Sequence, residues 1–331
     1  MTTTDERRHL VYELLIQNVG TTPLTITGLD VSDPDRRRAA PLQSYRDAAL
    51  APILLTPAGA TAPGVLAPAE IGVAFIDLAL PNDCGLPRRL AHVFTTAGTP
   101  APARRPGPVV AVIDEGALGP PLHGENLLDL GGCCASAHTR ALFATDGGFF
   151  LSQRYAIDFV RLTEEGSFHG DPTRNESYFL YGADVIAAAP GRIVEVVDGM
   201  AENVPTEPLP PFQIDTAAGN HIVEALDDGR FALYAHLKPG SIRVAVGATV
   251  RRGQTIGLVG NTGNSTEPHL HFHVTDGPAV FASNGLPYVF DRFDLVATID
   301  LGSADPAVTF VPPPNARRAR LPLTGDVVTF R

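Results

Sequence analysis

Short apolar runs alternate with polar positions along most of the chain, and clusters of Gly, Pro, Asn and Asp separate them. Leu10–Ile16, Leu24–Leu29 and Ile71–Leu78 are such runs in the first third. A period near two predicts half-buried strands rather than helices. Residues 10–98 hold several of them between turn residues, a pattern that suits an immunoglobulin-like β-sandwich. The stretch 99–108, Thr-Pro-Ala-Pro-Ala-Arg-Arg-Pro-Gly-Pro, reads by composition as a linker. Farther on, 139–145 and 149–158 flank Asp146-Gly147-Gly148 and read as a β-hairpin. Segments 181–195 and 246–259 are loosely similar to each other, and Asp326–Phe330 reads as a final strand.

One strand carries chemistry as well as packing. In Pro268-His269-Leu270-His271-Phe272-His273, imidazoles occupy every second position. Alternation turns His269, His271 and His273 to one face and Leu270, Phe272 and Val274 to a core. Neutral imidazole is a common zinc ligand, so such a strand can bind metal with one histidine and move protons with its neighbour. Alone, a His-x-His pair reads equally well as a solvated face.

The segments before it change that balance. They are Ala232-Leu-Tyr-Ala-His236-Leu237, then Val246-Gly-Ala-Thr-Val-Arg-Arg-Gly-Gln-Thr-Ile-Gly257, then Gly260-Asn-Thr-Gly-Asn-Ser-Thr266 running into the histidines. In this order they resemble the M23 family of zinc metallopeptidases, the LytM and lysostaphin type of peptidoglycan endopeptidases, over about residues 136–290. The resemblance implies a mainly β chain, with an M23-type duplicated hybrid barrel-sandwich following the N-terminal sandwich. The expected domains are 1–105, a lead-in at 106–135, and a metallopeptidase domain with a C-terminal extension at 136–331. It also implies Zn2+ held by Asp158 and His271, catalytic roles for His236 and His269, and a substrate in the peptide stems or cross-bridges of peptidoglycan. His273 stands where relatives commonly carry glutamate.

The family's first ligand is a histidine four positions before the aspartate, and here that position is Arg154. A guanidinium stays protonated and cannot ligate a cation. Pairing across the hairpin, centred on Gly147 or Gly148, would bring His138 beside Asp158, making His138 the replacement metal ligand. A register half a residue away would aim it elsewhere, and His169 is then the next candidate. His221 reads as structural, and His9, His92 and His123 match no motif.

Composition narrows the setting. The chain has 331 residues, 44% hydrophobic and 18% charged, enough for one large core or two ordinary ones. A formal net charge of −11 argues against nucleic acid and against simple attraction to anionic wall polymers. No window of 18 apolar residues suggests a membrane span, and the polar first residues are no signal peptide. The resemblance nonetheless implies action outside the cytoplasm, with a cytoplasmic location left open. Of three cysteines, Cys133 and Cys134 are adjacent and are read as buried or oxidisable thiols. Leu321-Pro-Leu-Thr-Gly325 matches a sortase signal, but the hydrophobic span and basic end such a signal needs do not follow it.

Two other function classes are open to this sequence. A degenerate M23 module could bind peptide or regulate a cell-wall amidase without hydrolysis; absence of metal would favour it. A lipoyl or phosphohistidine carrier shares the repeated motif, but Lys238, the only lysine, sits inside the Tyr-Ala-His-Leu motif and not at a hairpin tip.

Overall fold

The structure, a computed structural model, describes residues 1–36, 40–57, 64–97, 103–134, 136–303, 307–313 and 315–331. Among the described residues there is no α-helix, only strands joined by turns and short 3-10 segments. The chain divides into two compact units: Arg7–Asp114, and Met1–Glu6 together with Glu115–Arg331.

The Arg7–Asp114 unit holds two antiparallel sheets. In one, Arg7–Gln17 pairs with Ile71–Pro81 along its whole length, and Leu54–Leu55 adds to the other side. In the second, the order is Gln43–Arg46, Leu24–Ser32, Arg89–Thr96, Ala103–Ala111. Leu14, Leu29, Ile76, Leu78 and Leu90 from these strands share one core. The linker reading of 99–108 is corrected here. Residues 99–102 lie outside the described residues, while Ala103–Ala111 is a strand paired to Arg89–Thr96. Its prolines are tolerated because it is the outermost strand and its pairing shifts register between Ala91 and Val93.

In the larger unit a long sheet runs in the order Thr249–Val250, Gly191–Val197, His221–Leu226, Phe231–Ala235, Leu270–Thr275, Ile157–Arg161, Gly124–Leu130, Asp326–Phe330, Tyr288–Ile299, Val308–Phe310. The two similar segments interlock: Asp184–Ile186 pairs with Thr255–Leu258, and Gly191–Val197 pairs with Thr249–Val250. The histidine strand lies mid-sheet between Ile157–Arg161 and Phe231–Ala235. Its Leu270, Phe272 and Val274 are fully buried, with Phe272 against Tyr234, Tyr288 and Phe290. That anchorage fixes the opposite face.

Two boundaries differ from those expected of the sequence. Residues 1–6 join the larger unit: Thr3 bridges Leu321, Leu321 N–H donates to the Thr2 carbonyl at 2.9 Å, and Thr4 Oγ1 donates to Asp326. Leu321 is accordingly buried, so the Leu-Pro-Leu-Thr-Gly run is part of the fold. The lead-in at 106–135 is split, with Gly116–Leu118 and Gly124–Leu130 pairing inside the larger unit.

Candidate active site

Register places Asp158 directly opposite His271 on the neighbouring strand, with Ala235 opposite His271 on the other side. Because Phe231–Ala235 ends there, His236 turns out of the sheet with φ +63° and presents its ring beside His269 and His271, at centroid distances of 4.7 and 5.7 Å. All five residues singled out in the sequence, His138, Asp158, His236, His269 and His271, line one cavity of about 370 Å³.

Asp158 is the hub. Its Oδ1 lies 2.8 Å from His271 Nδ1 and 3.5 Å from His269 Nε2, and its Oδ2 lies 3.4 Å from His138 Nε2. Burial disfavours the carboxylate, but His269, His138 and His271 outweigh burial and hold its pKa well below the ordinary value. The ligand atoms of His138, Asp158 and His271 lie within 4.8 Å of one another.

Hydrogen bonds to carbonyls orient the rings. His138 Nδ1–H donates to the Gly131 carbonyl at 2.9 Å, which leaves Nε2 with its lone pair toward Asp158. His236 Nδ1–H donates to the Thr262 carbonyl at 2.7 Å, and His269 Nδ1–H donates to the Glu267 carbonyl at 2.8 Å. Each therefore offers Nε2 to the cavity side. The Nε2 atoms of buried His269 and His273 have no hydrogen-bond partner. Two imidazoles and one carboxylate, with the far nitrogen of His138 on the Gly131 carbonyl and that of His271 against His273 Nδ1, form a donor set that fits zinc. Burial, then His269 and His271, push the His236 pKa well down; for His269 the Asp158 carboxylate overcomes burial and raises it.

The route by which His138 arrives is not the one expected. The hairpin exists but is short: Phe143–Thr145 pairs with Gly148–Phe150 around Asp146-Gly147, both at positive φ. Extrapolating that two-residue-turn register would put position 138 opposite Tyr155. His138 instead begins a 3-10 turn, His138–Arg140, and reaches Asp158 from there. Arg154 gives one guanidinium N–H to the Gly285 carbonyl at 2.5 Å. His169 is exposed and paired with Glu165, away from the group that could hold metal. His221 is buried, its Nδ1–H on the Gly219 carbonyl.

Three features add to the reading of the sequence. His273 Nδ1 lies 2.8 Å from His271 Nε2, so the third strand histidine abuts the second. Cys133 and Cys134 are joined by a disulfide instead of being separate thiols. One side of the cavity is apolar, formed by Leu209, Phe212 and Phe281 over Ala217 and Ala218. No periodicity announces that side, because its residues come from loops.

Comparison with known proteins agrees with these motifs. A family model, Peptidase family M23, matches residues 178–282. That span contains His236, His269 and His271, while His138 and Asp158 precede it. The peptidoglycan DD-endopeptidase ShyA of Vibrio cholerae is 46% identical over 57 residues, 17% of this chain and 13% of ShyA. An uncharacterized metalloprotease of Buchnera aphidicola is 46% identical over 57 residues, 17% of this chain and 15% of its own length. The chain thus spans well under two thirds of either relative. The catalytic domain of the antimicrobial peptidase lysostaphin from Staphylococcus simulans is 24% identical, covering 49% of this chain and 94% of that domain at a TM-score of 0.27. Residues 178–282, with the Tyr-Ala-His-Leu and His-Leu-His motifs inside them, thus match peptidase family M23.

Proposed function

We propose that the protein is a zinc-dependent endopeptidase that hydrolyses a peptide bond in peptidoglycan stems or cross-bridges, outside the cytoplasm. The observation that carries this reading is the convergence of His138, Asp158 and His271 on one point, with His236 and His269 on the same cavity. His138, Asp158 and His271 would hold the ion. Zinc there supplies Lewis acidity and makes water a stronger acid, with a pKa lowered from 15.7 toward about 7.

The remaining chemistry belongs to the chain. His236, locked by the Thr262 carbonyl into the tautomer with a free Nε2, accepts a proton from water on the cavity side. His269, in the imidazolium form that the neighbouring Asp158 carboxylate favours, donates from Nε2 to the developing oxyanion and then to the leaving amine, and the proton taken up by His236 restores it. The peptidoglycan substrate follows the likeness to ShyA, a peptidoglycan DD-endopeptidase, and the location outside the cytoplasm follows from that substrate. Among the described residues no helix is long and apolar enough to cross a membrane.

The test is cleavage of a soluble peptidoglycan peptide by the zinc-loaded full chain. His236→Ala and His269→Ala are expected to keep zinc and lose roughly 10²–10⁴-fold in turnover. Zinc-loaded protein that binds such peptides without cutting them would point instead to a binding or amidase-regulating module.

A further inference from the structure

The cavity that holds the histidines has a second character. Phe212 is 53% exposed at its edge, while Phe281 beside it is 9% exposed. Phe143 backs both, stacked on Phe212 at 6.2 Å and tilted against Phe281 at 4.7 Å. Beneath them Ala217, Ala218, Leu233 and Ala235 belong to the same apolar cluster as Phe281.

This apolar surface is continuous with the reacting groups. The Ala218 carbonyl accepts the His236 backbone N–H at 3.1 Å, and Ala235 precedes His236 and pairs with His271. The floor is built of alanines, which leaves room above it. Apart from Asp158 and the histidines, the described lining residues include no charged side chain; Gln153, Asn264 and Thr266 are the polar ones. A substrate carboxylate on this side would lose water and gain no cation.

We propose that the wall of Phe212 and Phe281, backed by Phe143, is a subsite for one uncharged apolar side chain of the substrate, close to the bond that is cut. It deepens the peptidase reading above and rests on it. An apolar side chain seated there is removed from water against Phe212, while glycine leaves the wall wet and glutamate brings a charge into it. Such a pocket selects by fitting methylenes, and each methylene is worth roughly 10–200-fold in discrimination.

The experiment uses the full chain loaded with zinc and three peptides that differ at one position beside the scissile bond: leucine, glycine or glutamate. Binding is measured by calorimetry in the His236→Ala background, so that turnover does not intervene, and cleavage is measured with His236 intact. Leucine is expected to bind about tenfold or more tighter than glycine, with glutamate weakest. Phe212→Ala should remove that preference, weakening the leucine peptide far more than the glycine peptide. Phe212→Leu should retain part of the preference, and Phe212→Glu should abolish it. Equal binding of the three peptides, or a Phe212→Ala loss that falls equally on the glycine peptide, overturns the subsite. A leucine preference that responds to Phe212 in a protein that cuts none of the peptides would overturn the peptidase reading and leave the subsite standing.

Discussion

Glu224 shows what a single buried group does to this protein. It lies fully buried on His221–Leu226, its Oε2 accepting the Tyr234 hydroxyl at 2.7 Å while Oε1 has no partner. Tyr234 in turn accepts the Ala188 backbone N–H at 2.7 Å, tying the motif tyrosine to the Ala-Pro-Gly turn. Burial pushes the Glu224 pKa up from its ordinary 4.5 to about 7, partly offset by Tyr234. A carboxyl whose folded pKa is raised binds its proton longer in the folded state. Its contribution to stability is therefore full below about 4.5 and is lost as pH rises toward 7. Glu224→Gln should remove that loss: no gain at pH 4.5, and a gain of about 1–3 kcal/mol at pH 8, read by denaturant unfolding at both pH values. A difference between variant and parent that does not change with pH would contradict the assignment. At this scale the sequence was informative where residue type and spacing coincide, as in His269, His271 and Asp158. It was silent on Glu224, because nothing in the chain marks which carboxyl a tyrosine hydroxyl will meet.

Elements were legible where their period was clean. Alternation placed the histidine strand and its apolar face correctly, and the repeated segments at 181–195 and 246–259 become strands that pair reciprocally. Turn geometry was less legible. The Asp146-Gly147 turn takes two residues at positive φ, the ladder it closes stops at Phe143 and Phe150, and His138 lies beyond that ladder in a 3-10 turn. Proline suggested a linker where an edge strand tolerates it. The loop feeding the histidine strand depends on close backbone approach. Gly263 has φ +76°, and a Cβ there would stand 2.3 Å from the Gly219 nitrogen. Its neighbour Thr262 supplies the carbonyl that orients His236. Gly263→Ala should therefore cost about 1–3 kcal/mol of stability and reduce turnover through His236 while zinc remains bound. Unchanged unfolding and turnover would show that the loop can absorb the side chain.

The larger unit is assembled from both ends of the chain segment Met1–Arg331, with Arg7–Asp114 inserted between its first six residues and the rest. This changes what a fragment should do. A protein beginning at Glu115 lacks the Thr3–Leu321 bridge and the hydroxyl of Thr4 on the buried Asp326 carboxylate. It should be less stable, by about 1.5–3 kcal/mol for the lost charge-assisted bond, than the same segment with Met1–Glu6 joined to it by a glycine-rich linker. Thermal unfolding of the two compares them, and equal midpoints would mean the N-terminal segment is dispensable. Neither fragment loses a residue of the proposed centre, so both should bind zinc when folded. The central claim is that His138, though not at the family's usual position, completes a three-residue site with Asp158 and His271. Zinc content of the purified full chain tests it most directly, measured for the parent and for His138→Ala, His271→Ala and Arg154→Ala. One zinc ion is expected in the parent and in Arg154→Ala, with its loss to a similar degree in His138→Ala and His271→Ala. Full zinc in His138→Ala would contradict it.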